Sequence, residues 1–349
     1  MGKKRIRGLV LCAGFGTRLR PLTWWLPKPL LPIAGEPVAG HTLRALHSAG
    51  CEAAVINTHH RAEDLPQAFG RSYRGLALEY SHESEIQGTY GALAPPRDLL
   101  MESDAVILVN GDSFCRWPIR KILAHHFRQG ADATLLLLAK APESALGGGI
   151  AVDAVGRVVQ MRELPKGPGE IVRRHGFAGL HVLSPRLLER IDSRPGDIIE
   201  DLYQPLLQDG GRIETKVLPR RTRWHDLGTP DRYHAASLDA LRARFFTRWR
   251  RSGSPSTSPL ARIGEAVSLD RSMVDRGARI GRGATLKDCV VLEGAQIGEQ
   301  CRIHSSIIGP GVVVAPSTEV EKRLITRFDK RHELAPNESQ MNDLVFTPL

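Results

Sequence analysis

From Leu260 onward the chain repeats itself every 17 residues, and no other feature of the sequence restricts the fold as tightly. LARIGEAVSLDRSMVDR from Leu260 aligns with GARIGRGATLKDCVVLE from Gly277 and GAQIGEQCRIHSSIIGP from Gly294, and GVVVA at Gly311 opens a fourth copy. Ile263, Ile280, Ile297 and Val314 occupy one position of the period, Leu269, Leu286 and Ile303 another, and the small residues Ser272, Cys289 and Ser306 a third. Aliphatic residues returning at about one-third of the period, with small residues or glycine between them, require a three-sided coil that stacks its aliphatics inward.

This pattern resembles the left-handed parallel β-helix of hexapeptide-repeat proteins, with the match covering Leu260–Pro316 and the domain placed at 260–318. Ahead of it SGSPSTSP (Ser252–Pro259) is rich in Ser and Pro and has nothing to pack, so 251–259 reads as a linker. The tail, 319–349, is polar and without a clear pattern, and no structure is assigned to it.

Residues 1–250 follow a different rule. Short apolar runs at Leu9–Cys12, Ala53–Asn57, Leu76–Tyr80, Val106–Val109, Thr134–Ala139, Phe177–Leu183 and Thr215–Leu218 read as strands, several of them buried on both faces. Val38–Ala49, Ile119–Gln129 and Ile198–Leu207 carry apolar residues three or four apart and read as helices. The alternation predicts an α/β domain, a Rossmann-like, mostly parallel sheet with helices on both faces. Ligands of such sheets collect at the carboxyl ends of the strands.

The first strand runs into CAGFGTRLRPLTWWLPKPLLPIAGEPV, from Cys12 to Val38. Gly14 and Gly16 leave the backbone open to close approach, and its N–H groups can converge on phosphate oxygens. Thr17 adds a hydroxyl, Arg18 a fork of donors suited to phosphate, and Lys28 a second cation between Pro27 and Pro29. A dinucleotide fingerprint fails here, because Leu19 stands where Gly or Ala belongs and Pro21 breaks the helix. A Walker A loop fails as well, lacking Gly-Lys-Ser/Thr.

The stretch resembles the signature of sugar-1-phosphate nucleotidyltransferases, the nucleotide-sugar pyrophosphorylases. That resemblance implies a nucleotide-binding set of Ala13, Gly14, Gly16, Thr17, Arg18, Glu83, Gly88 and Thr89, the last three around EIQGTYGAL, which resembles the family's base- and ribose-lining segment. It implies Asp112, after the apolar run AVILVN, and Asp226, in WHDLGT, as the carboxylates that hold Mg²⁺. For the sugar phosphate it implies Lys28, Gly149, Glu163 and Gly179. Arg18, Lys28, Asp112 and Asp226 become the catalytic group. The sequence departs from the family pattern twice: Glu163-Leu164-Pro165 lacks the usual lysine, for which Lys166 or Arg162 is the substitute, and Pro95-Pro96 must end or kink the helix after the Gly-Thr segment near Ala94.

The implied chemistry is attack of a sugar-1-phosphate oxygen on the α-phosphorus of a nucleoside triphosphate, releasing pyrophosphate. Domain layout is similar to that of mannose-1-phosphate guanylyltransferases, which favours mannose 1-phosphate and GTP. UTP- or dTTP-dependent transfer to N-acetylmuramate, glucose or heptose 1-phosphate is the alternative, since INTHH and YSHESE resemble the uridylyltransferases. A non-catalytic regulatory relative is a further one, disfavoured because all four catalytic residues are present. Acyl transfer, known among hexapeptide-repeat proteins, is disfavoured by a short coil with His304 as its lone histidine. The coil implies a homo-oligomer.

Composition sets outer limits. A chain of 349 residues with 42% hydrophobic and 25% charged residues has ample core for two domains. A formal charge of +10, much of it between Arg220 and Arg251, suits a phosphate-rich ligand, and RYHAASLDALRARFFTRWRR reads as a solvated amphipathic helix leading into the linker. No nucleic-acid motif, membrane span, signal peptide or myristoylation site is expected. Cys12, Cys51, Cys115, Cys289 and Cys301 have no paired spacing and read as buried thiols of a cytoplasmic protein. His59 and His60 lack a supporting ligand, and Trp24 and Trp25 are expected to cover the loop between Arg18 and Lys28.

Overall fold

The computed structural model describes residues 4–139, 149–242 and 256–349, which leaves 243–255, with the basic end of the helical stretch and most of the expected linker, outside the described residues. The chain forms two compact units, Met1–Gly14 with Ala39–Trp224, and Phe15–Val38 with His225–Leu349. The division runs through the stretch read as one domain, since the cationic loop belongs with the C-terminal unit.

The first unit is built on a sheet with ten strands among the described residues. Its centre is Leu76–His82, Cys51–Thr58, Ile6–Leu11 and Ala105–Asn110, all running parallel and in that order. The apolar runs predicted these strands to within a few residues. Arg173–Leu183 then pairs antiparallel with Ala105–Asn110 and with Ala133–Leu138, and the latter carries Ile213–Val217 in parallel. Ile150–Val152 and Val158–Met161, not foreseen, form an antiparallel pair on the start of Arg173–Leu183. Strand direction is invisible in a continuously apolar run, so the sheet is mixed where composition alone suggests parallel. Leu9, Leu108, Leu135, Leu183, Leu202 and Tyr203 are among the buried residues of the core. The helices Val38–Ser48 and Ile119–Gln129 fall where expected, and Ile198–Leu207 becomes one π turn, Ile199–Tyr203, followed by Gln204–Gln208. The prolines act as predicted: helix Gly88–Gly91 stops, and Arg97–Met101 starts after Pro96.

In the second unit the coil has three sheets of parallel strands, one per side. Ile263, Ile280, Ile297 and Val314 share one sheet and Leu269, Leu286 and Ile303 the next, each in register with its 17-residue neighbour. Every coil turns its corners with left-handed backbone at equivalent positions, such as Arg271, Asp288, Ser305 and Lys322. Cys289 N–H donates to Ser272 Oγ and Arg323 N–H to Ser306 Oγ, so the small ladder carries hydrogen bonds between rungs. Ile263 departs from the inward pattern: it is 42% exposed, on the strand that is the edge of its sheet among the described residues.

Three expectations need correction. Ser258 at the end of the expected linker is buried, and its N–H donates to Val274 O, so 256–259 lies along the coil. The unassigned tail is ordered: Glu319–Glu321 and Arg323–Arg327 complete a fourth rung, and Ser339–Met341 pairs antiparallel with Leu344–Pro348, which in turn pairs antiparallel with Arg323–Arg327. Val320 and Leu324 keep the 17-residue register, hidden among charged neighbours. Finally, helix Pro230–Arg242 is not simply solvated, since Tyr233, Ala236, Ser237 and Ala240 are buried. Tyr233 donates to Pro32 O, and His234 Nε2 lies 2.6 Å from Asp288 O on the coil.

Candidate active site

Several of the expected residues of the first unit lie at the carboxyl ends of its central strands. Leu11 pairs with both Asn57 and Asn110, so three strands end side by side. Gly111 N–H donates to Leu11 O, and a Cβ on Gly111 would sit 2.3 Å from Cys12 Sγ; only glycine lets the Asp112 turn lie against Cys12. Asp112 is half-buried there, and Ser113 Oγ donates to it at 3.4 Å. Burial, with the Asp112 charge second, pushes the Cys12 thiol far above its ordinary range, so Cys12 is a neutral packing group. Gly179 sits at an irregularity of its strand, facing the Asn110 side chain.

A buried polar chain links Cys12, at the end of the first strand, to the Gly88 segment. Cys12 N–H donates to Asn57 Oδ1 at 2.6 Å, Asn57 Nδ2 donates to Glu83 Oε1 at 2.7 Å, and Gln87 N–H donates to Glu83 Oε2 at 2.9 Å. Glu83 is 3% exposed, and both its oxygens are engaged within the protein. These bonds tie the end of its strand to Asn57 and to the start of the Gly88 turn. Asn57 is the residue missed in the sequence; its position at the end of an apolar strand, in INTHH, was the available signal. His59 Nδ1 lies 2.8 Å from Glu83 O. The freedom of Gly88 serves the protein as well, because a Cβ there would lie 2.3 Å from Gly196 O. Thr89 Oγ1 accepts from Ile198 N–H.

Gly149, Glu163 and Lys166 lie elsewhere, around the short antiparallel pair. Gly149 O accepts from Arg162 N–H, while Glu163 and Lys166 are exposed. Arg162 cannot stand in for the absent family lysine as a free cation, since its guanidinium holds Asp197 at 2.9 Å and Glu200 at 2.8 Å.

The cations sit in the second unit. Ala13 and Gly14 lead from the sheet into Phe15, and Gly16 takes left-handed backbone with φ near 63°, while its carbonyl accepts from Thr23 Oγ1 at 2.9 Å. Thr17–Leu19, Leu22–Trp24 and Lys28–Leu30 are isolated three-residue turns. Lys28 is buried, with Nζ 3.5 Å from Asp226 Oδ1, and Arg232 Nη1 is 3.0 Å from Asp226 Oδ2. A Cβ on Gly228 would fall 3.0 Å from Asp226 Oδ2 and 3.3 Å from Arg18 Nη2, so Arg18 reaches the same spot. Asp226 is thereby paired with two cations. Arg232, six residues beyond Asp226, was not anticipated. Among the described residues, no group of three or more His, Cys, Asp and Glu could hold a metal ion by itself. Chemically, one unit presents a carboxylate beside a glycine turn and the other presents three cations around a second carboxylate, an inventory suited to handling phosphates.

Comparison with known proteins agrees with this inventory. Residues 7–243 match the nucleotidyl transferase family, and 254–329 match the GlmU-like C-terminal hexapeptide. The mannose-1-phosphate guanylyltransferase catalytic subunit beta of Drosophila melanogaster is 30% identical over 74% of this chain and 71% of its own. A probable mannose-1-phosphate guanylyltransferase 2 of Arabidopsis thaliana is 31% identical over 68% of this chain and 67% of its own. The mannose-1-phosphate guanyltransferase of Pichia angusta is 33% identical over 64% and 61%. With its α/β unit, its cation-bearing glycine loop and a family match spanning most of its length, the chain belongs to the nucleotidyl transferases.

Proposed function

We propose that the protein transfers a guanylyl group from GTP to mannose 1-phosphate, forming GDP-mannose and pyrophosphate. A phosphate oxygen of the sugar attacks the α-phosphorus, and the bond to the β-phosphate breaks. The attacking oxygen is already ionised near neutral pH, so no side chain has to remove a proton. The observation that carries this reading is the convergence of Lys28, Arg232 and Arg18 about Asp226, on and beside a loop of the family signature. The choice of GTP and mannose rests on the names of the relatives and on the coil.

Each residue then has a role. Backbone N–H groups from Ala13 to Thr17, together with Arg18, hold the triphosphate and neutralise charge growing on the leaving pyrophosphate. Lys28 holds the sugar phosphate against the α-phosphorus, and Gly149, Glu163, Lys166 and Gly179 line the sugar side. Glu83 acts by keeping Asn57 and Gln87 in place, which sets the loop's start and the Gly88–Thr89 turn. Catalysis is positioning plus electrostatics. Asp112 in the first unit and Asp226 in the second each offer hard carboxylate oxygens, the donor type that suits Mg²⁺, an ion that usually takes one or two carboxylates and leaves the rest of its shell to phosphates and water. When bound, that ion would neutralise phosphate charge and help align the reacting groups.

The chemistry belongs to residues 1–250. The coil serves self-association: its first side carries an apolar groove of about 430 Å³ lined by Ile263, Ile280, Ile297 and Val314, with Gly281 and Pro316. Light scattering that returns the mass of one chain at micromolar concentration would end the self-association claim. A reducing cytoplasm suits five free, buried cysteines, and among the described residues no helix is long and apolar enough to cross a membrane.

The test is pyrophosphate release across a matrix of nucleoside triphosphates and sugar 1-phosphates. GTP with mannose 1-phosphate should turn over fastest; a faster UTP pair would replace the substrate assignment, and no release from any pair would remove the reaction. Asp112→Asn should lower kcat roughly a hundredfold, about 3 kcal/mol of barrier, with little change in unfolding midpoint.

A further inference from the structure

The loop carrying Arg18 and Lys28 has little regular structure to hold it. Halfway between the two cations stand Trp24 and Trp25, and both meet residues from the far end of the same unit. The Arg327 guanidinium lies 4.0 Å from the Trp25 ring centroid. His332 presents its ring edge-on to Trp24, with centroids 4.9 Å apart and planes at 88°, and Arg331 lies 5.9 Å from the same indole.

These contacts are anchored from behind. His332 Nε2 is 2.7 Å from Glu338 Oε2, and both side chains are only 6% exposed. Glu338 also accepts from Ala335 N–H at 2.8 Å and from Thr347 Oγ1 at 2.6 Å. Thr347 belongs to Leu344–Pro348, which pairs antiparallel with Arg323–Arg327, and those residues form the last rung of the coil. A continuous line of packed groups thus runs from the coil through the terminal hairpin to the two tryptophans.

We propose that the segment from Arg327 to Leu349 is a positioning clamp for the catalytic loop, with Trp24 and Trp25 as its handles. Arg327, His332 and Glu338 are positioning residues: they act on the reaction by fixing where Arg18 and Lys28 stand. This rests on the reading that those two cations bind phosphates. It gives the end of the coil a role in transfer, since a charge must be placed to within a fraction of an ångström to stabilise a transition state, and misplacing groups by about 1 Å can cost roughly a hundredfold in rate.

The test uses the full chain and compares wild type with Arg327→Ala, His332→Ala, the double variant and Arg327→Lys. Amide hydrogen exchange at 17–31 is read against Ala105–Asn110, alongside kcat and KM for the most active substrate pair and the unfolding midpoint. The double variant should exchange at least about tenfold faster in the loop and unchanged in the strand, with kcat/KM about tenfold lower. Arg327→Lys, which keeps a cation over the indole, should recover much of the single-variant loss. Unchanged loop exchange in the double variant overturns the clamp, and faster exchange with unchanged kinetics overturns its part in catalysis. If wild type itself releases no pyrophosphate, the underlying reading fails, a result that the wild-type assay alone reveals.

Discussion

In the coil a side chain finds its partner 17 positions away, and the same partner type recurs on every rung; in the sheet Leu9 lies between Val55 and Leu108, partners 46 and 99 positions away. Arg271 pairs with Asp288, Arg276 with Glu293, Arg282 with Glu299 and Arg302 with Glu319, each one rung on. Most of these pairs are exposed and screened by solvent, so the stack is held chiefly by its buried aliphatics. Near-identical rungs distribute stability, whereas the sheet concentrates unlike residues at one edge, where chemistry needs them. A repeat supplies rigidity from few residue types; a site needs residues that differ from their neighbours.

Substitutions can break that contrast. The largest effect is expected where rungs touch through backbone. A Cβ on Gly298 would lie 2.4 Å from the Pro316 nitrogen, and Gly281 meets Glu299 in the same way. Gly298→Ala should therefore cost about 3–5 kcal/mol and part the upper rungs, measured by urea unfolding. If it is tolerated, the rungs are not in the close register described.

Next in size is acid sensitivity, which should separate the two regions. Burial lowers His126 to about 4 and His181 to about 3 in the sheet unit. A histidine with a folded pKa below the unfolded value near 6.5 takes its proton on unfolding first, so stability is full above that value and falls as pH drops. Each histidine should remove about 1.4 kcal/mol per pH unit until its folded pKa is reached. The coil's Asp288 is held below the usual carboxylate range by Arg271, so its contribution is lost only as pH falls through and below the ordinary carboxylate values. The stability of the α/β unit, followed through buried Trp117, should fall between about pH 6.5 and 4, before that of the coil does. A coil that opens first at about pH 5 would reverse the comparison.

The smallest effect belongs to Gly14, whose Cβ would meet nothing within 4 Å. Gly14→Ala should change stability by less than about 0.5 kcal/mol, yet raise the KM for the nucleotide if phosphates approach there. Equal KM values would show that the loop's openness serves no ligand.

Much of this was legible beforehand, for reasons that differ by region. The coil's aliphatic ladder follows from periodicity, because stacking identical rungs forces identical residues inward. Arg18, Lys28, Asp112 and Asp226 were singled out because their neighbours form long, unusual motifs. The partners of Glu83 were not legible, since one sequence offers no way to see that Asn57 and Gln87 bond both its oxygens. The tail was missed because Val320 and Leu324 keep the period among Glu319, Glu321, Lys322 and Arg323, whose charges face outward on a rung with only a short hairpin beyond it.

The amino-acid sequence by itself determined the elements and their class: which runs extend, which coil, where the glycines permit close backbone, and that the last third stacks. Those are consequences of local sterics and of periodic burial, and both are written in neighbouring residues. Only the tertiary structure decided strand order and direction, the binding of Asp226 by Lys28 and Arg232, and the placement of His332 and Arg327 on Trp24 and Trp25. These depend largely on residues about 200 to 300 positions apart, which adopt their places because the whole fold buries them together.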